Sequence, residues 1–70
     1  MEQFFENFKI GDFIQIQYHP NSPLNQYKGY IGEIKEYRKG QEHALVFIHA
    51  RNASGLIKFH IGHLSKLQSN

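Results

Sequence analysis

The stretch QYKGYIGEIKEY, residues Gln26 to Tyr37, sets two glycines three positions apart in a run that otherwise reads as a β-strand. Glycine inside a strand packs nothing and costs backbone entropy, so such a pair marks a bend, a bulge or a neighbouring backbone close by. We therefore read Gly29 and Gly32 as letting this strand bend and admit a neighbour. Ile34 is then a core position and Lys35 faces solvent.

Outward from this run the same two-residue period recurs. IGDFIQIQY sets Ile14, Ile16 and Tyr18 on one face, with Gln15 and Gln17 on the other. HPNSPLNQ holds both prolines and reads as a loop. RKGQE is a polar turn around Gly40. HALVFIHA is the most apolar strand, with Ala44, Val46 and Ile48 opposite Leu45, Phe47 and His49. After the turn RNASG, LIKFHI sets Ile57, Phe59 and Ile61 against Lys58 and His60. GHLSKL fits a short helical turn or a last small strand carrying Leu64 and Leu67. At the front, Phe4, Phe5 and Phe8 suit one helical turn, or a linker covering one end of the domain. Four or five short strands with a turn between each make an all-β chain, a small antiparallel barrel.

Length and composition narrow the classes. Seventy residues make one small domain with one small core. With no cysteine there is no disulfide framework, and a reducing, cytoplasmic setting is the expectation. The sequence has no apolar run long enough to span a membrane and no secretory leader, so neither membrane nor export is expected. Without such a leader the tripeptide Asn52-Ala53-Ser54 is read as incidental to glycosylation. A formal charge of +2 admits nucleic acid or an acidic protein as partner and requires neither.

KIGDFIQI, a loop, and then YKGYIGEIKEY resemble the KOW motif. That motif sets Gly-Asp before an alternating strand, then an aromatic or Lys, two glycines three apart and a β-branched core residue. The matching positions are Gly11, Asp12, Ile14, Ile16, Gly29, Gly32 and Ile34. VFIHARNASGLIKFHIGHLSKL is similar to the closing strands of the C-terminal KOW domain of NusG-type transcription elongation factors, with Val46, Ile48, Arg51, Ile57 and Phe59 in place. The first loop is longer than the family's usual turn, and His49 and Ala50 stand where that pattern has Phe and Gly. The resemblance implies an SH3-like barrel over residues 10–67, after an N-terminal segment 1–9 and before a tail 68–70. The polymerase-binding domain that precedes this module in NusG proteins has no counterpart here, so polymerase binding is not carried over.

By the same resemblance Tyr27, Tyr30, Ile48 and His49 form an apolar patch that receives a ribosomal protein or a termination factor. With Arg51 beside them they are the expected protein-binding residues of a monomeric, non-enzymatic module. Lys28, Lys35, Arg38 and Lys39 are the candidates for facing phosphate in an RNA-binding alternative, although Glu33, Glu36 and Glu42 dilute their field. A small barrel subunit of a photosynthetic electron-transfer complex is a second alternative. Catalysis finds little support: every serine lies in a loop or tail, with no local pattern that would activate it. His60 with His63, and His49 beyond them, are the best metal candidates, but the histidines are scattered and no metal or other cofactor is expected.

Overall fold

The computed structural model describes residues 7–51 and 54–67. Strands β1 (Phe13–Ile16), β2 (Ile31–Glu36), β3 (His43–His49), β4 (Gly55–His60) and β5 (Leu64–Lys66) are joined antiparallel in one sheet, in the order β4-β3-β2-β1-β5. Two single 3-10 turns, Asn25–Tyr27 and Ile61–His63, interrupt the first loop and the β4–β5 connection. The closing segment GHLSKL thus makes both a helical turn and a small strand, so Ser65 lies in β5, paired with Gln15, and not in a loop or tail as expected.

The alternation seen in the sequence sorts side chains as expected. Ile14, Ile16, Ile34, Ala44, Val46, Ile48, Phe59 and Leu64 form the core, and Ile57 packs partly buried against it. Gln17, Lys35 and Lys58 are exposed and Gln15 is half-buried. Tyr18 departs from the expectation: β1 ends at Ile16, and Tyr18 lies exposed in the loop beyond. Ile61 sits in the second 3-10 turn, partly buried against the core. Phe8 also packs on the core and meets Tyr37 edge to face, while Phe4, Phe5, Asn52 and Ala53 lie outside the described residues.

The two glycines have different causes. Gly32 is in β2, opposite Ile14 on one side and Ile48 on the other, and it is buried. Gly29 is not in the strand at all; it lies in the preceding turn with φ +92° and open space around its α-carbon. There a residue with a side chain would pay the left-handed penalty. The irregularity in β2 comes after Ile34, where Ile34 faces Val46 but Glu36 faces Leu45, leaving Lys35 as the extra residue of a bulge.

Side chains also link the two edges of the sheet. Phe59 of β4 meets Tyr27 of the first loop and His63 ahead of β5, with ring centroids 5.8 and 5.4 Å away. His60, at the end of β4, stacks on His19, just beyond β1, at 4.7 Å.

Candidate aromatic docking site

The first loop is held by its own polar side chains. Asn25 Oδ1 accepts from the His19 backbone N–H at 2.8 Å, and its amide group donates to the carbonyls of His19 and Ser22. Ser22 Oγ accepts from Leu24 N–H at 3.1 Å and lies 2.7 Å from Nε2 of His63. The other ring nitrogen of His63 is 2.8 Å from the carbonyl of Gln17. A carbonyl can only accept, so in the neutral imidazole Nδ1 carries the proton and Nε2 accepts from the Ser22 hydroxyl. No local signal could have paired these groups, which come from the loop and from the last connection. The loop then turns at Gly29, whose N–H donates to Ile16 C=O, and Tyr30 C=O receives the Ile16 N–H.

This frame places the two tyrosines in sequence, one anchored and one displayed. Tyr27 lies edge to face on Phe59 of the core, and Tyr30 lies edge to face on Tyr27 at 5.9 Å. Tyr30 is 37% exposed.

His49 and Arg51 arrive at the same end of the sheet, because His49 pairs with Ile31 and Arg51 lies in the turn that follows β3. His49 is exposed and points to the outer face, with its ring 4.9 Å from Phe47 and 6.1 Å from Phe13. Its Nε2 is 3.8 Å from the Glu33 carboxylate. On that face Phe13, Glu33, Phe47 and Leu56 stand opposite one another across four strands, with Phe13 51% and Leu56 56% exposed. Sequence reasoning named His49 and missed this apolar row, although its alternation already set Phe47 on the side of His49.

Ile48 does not belong with the surface residues. It is wholly buried, facing Gly32, and its side chain is part of the core. The remaining four are gathered at one end, with Tyr27 on the core side of the sheet and His49 on its outer side.

The four basic candidates do not share a surface. Lys28 precedes β2 at the tyrosine end, whereas Arg38 and Lys39 follow β2 at the opposite end. Lys35 is paired with Glu33 at 3.3 Å. An open concavity of about 1010 Å³ at the far end is lined by Arg38 and Lys58, but also by Glu36 and Glu42.

The histidines are scattered in sequence but not in space. His19, His43, His60 and His63 lie in one chain of ring contacts, with only His49 apart. Even so, among the described residues no group of three or more His, Cys, Asp or Glu is arranged to hold a metal ion. Among the same residues, no helix is long and apolar enough to cross a membrane. Comparison with known proteins gives no matching family model, no significantly similar curated protein and no significantly similar solved structure.

Proposed function

We propose that this chain is a small SH3-like barrel of KOW type acting as a non-enzymatic protein-docking module. The observation that carries the docking reading is the tyrosine pair: Tyr27 is seated on Phe59, and Tyr30 is held against it at the surface. Aromatic rings fixed before binding give large contact area at low entropy cost, and Arg51 at the same end is the other residue type that dominates interfaces. The barrel reading draws on the strand order, on the contacts between the sheet edges and on the close approach at Gly32. The role in transcription elongation, termination or coupling to translation rests on the sequence resemblance alone.

Two rivals fit the site less well. RNA binding needs clustered cations, and Lys28 is separated from Arg38 and Lys39 by the length of β2. Ser22 and His63 lie at the distance of a nucleophile and its base, but the Leu24 N–H points at Ser22 Oγ itself. A catalytic serine needs such donors where an oxyanion would form. This N–H anchors the loop instead.

The test is capture of partners from a lysate with the full chain, with and without nuclease, followed by a salt titration of the complex. Docking through aromatics predicts capture that survives nuclease and weakens less than about tenfold between 50 and 200 mM salt, whereas phosphate contacts by all four basic candidates would cost about fifty- to 150-fold. Loss of capture on nuclease treatment transfers the reading to RNA.

A further inference from the structure

We propose that His63 is the positioning residue of the first loop, and that proton uptake by His63, within its cluster of histidines, releases that loop. The tyrosines would then be presented in a pH-dependent way. The link to docking rests on the function proposed above; the latch itself does not.

His63 is only 1% exposed, yet both ring nitrogens are engaged. Through Nδ1–H it holds the carbonyl of Gln17 just beyond β1, and through Nε2 it holds Ser22 in mid-loop. Ser22 in turn holds Leu24, and Leu24 C=O accepts from Tyr27 N–H. A proton on Nε2 turns this acceptor into a donor. The Ser22 hydroxyl proton must then find another acceptor in a part-buried site.

Charge adds to the effect. His63 faces His19 at 5.2 Å and Phe59 at 5.4 Å; His19 faces His60 at 4.7 Å, and His60 faces His43 at 5.4 Å. Among the described residues none of these four histidines is ion-paired, since the pairs formed engage Glu33 and Asp12. Glu42 lines the same concavity as His43, and its backbone carbonyl accepts from Ile61 N–H. Histidine is the side chain that changes charge between about pH 5 and 8, and neighbouring imidazolium ions without a carboxylate repel. A β-carbon on Gly62 would lie 2.7 Å from the His19 ring, so His19 of the loop is packed directly against the β4–β5 connection.

The experiment follows amide hydrogen exchange by NMR on the free full chain, with no partner present. The probes are the amides of His19 and Leu24, which the loop hydrogen bonds protect, with core residue Val46 as reference. From pH 8 to pH 5 the protection factors of His19 and Leu24 should fall at least about tenfold relative to Val46. His63→Gln keeps a donor and an acceptor but does not titrate, and should reduce that fall to less than about threefold. Ser22→Ala should leave His19 poorly protected at both pH values, and it serves where His63→Gln does not fold. Unchanged protection in the wild type at pH 5 overturns the proposal, as does a wild-type pH profile in either variant. A silent Tyr30→Ala in the binding assay would sink the docking reading and leave the latch standing.

Discussion

A β-carbon on Gly32 would stand 2.5 Å from Cγ1 of Val46, and 3.0 Å from the carbonyl oxygen of Phe47. Without a side chain, Gly32 lets the two strands pair here with no displacement of Val46 or of the Phe47 backbone. Gly32→Ala should therefore destabilise the domain by about 1–3 kcal/mol through overpacking, measured by urea unfolding. Val46→Ala removes the nearest clashing atom, so the double variant should be more stable than the two separate losses added together. Strict additivity would show that the close approach is not what Gly32 serves.

The turn glycines give a different expectation. Gly29 and Gly40 both have φ +92° with open space around them, so alanine at either position should cost about 1–2 kcal/mol through backbone strain alone. No change at Val46 should rescue either one, which the same unfolding series can check.

Phe59 is wholly buried and supports both Tyr27 and His63. Phe59→Ala should cost about 3–5 kcal/mol, enough to unfold a domain of this size. Phe13→Ala, on the exposed outer row, should cost far less. A cooperatively folded Phe59→Ala protein in thermal melts would mean that the core face has been assigned wrongly.

Tyr30→Ala and Arg51→Ala should weaken binding to the captured partner at least about tenfold while the fold stays intact. Lys39→Ala, at the opposite end of β2, should change binding by less than about 1 kcal/mol. Titration calorimetry of the three variants, with circular dichroism in parallel, decides it. A damaging Lys39→Ala beside a silent Tyr30→Ala would favour the RNA reading.

Ile48 separates packing from recognition. Its burial predicts a loss of about 2–5 kcal/mol in stability for Ile48→Ala, and for Ile48→Val a loss of about 0.5–1.5 kcal/mol with binding unchanged. Impaired partner binding by a fully folded Ile48→Val protein would return this residue to the interface.

The strands and their buried faces were legible in the sequence because alternation is a local property. Ile14 and Ile16, or Ala44, Val46 and Ile48, must share a face wherever the chain is extended. The end of β1 was not legible: Tyr18 keeps the period, but it lies past the last residue paired with β5, which is Ile16. Gly32 announced a close approach, but Gly29 with the same residue type answers to a turn, and only the structure distinguishes them, by the positive φ and open space at Gly29 against the crowding at Gly32. The tyrosine end was named only through the resemblance to the KOW pattern; the pairing of Ile31 with His49 then puts Tyr30, just ahead of β2, at the same end as His49. Tertiary structure alone decided that Phe13, Phe47 and Leu56 line up across the strands as one outer row, and that Ile48, already on the core face by alternation, is too deeply buried to join the surface patch. It alone also brought His63 to Ser22, 41 positions earlier in the chain, and gathered four histidines that look scattered. The reason is physical. Backbone period and turn chemistry act over a few residues, whereas contacts between the sheet's two edges exist only once all the strands have paired.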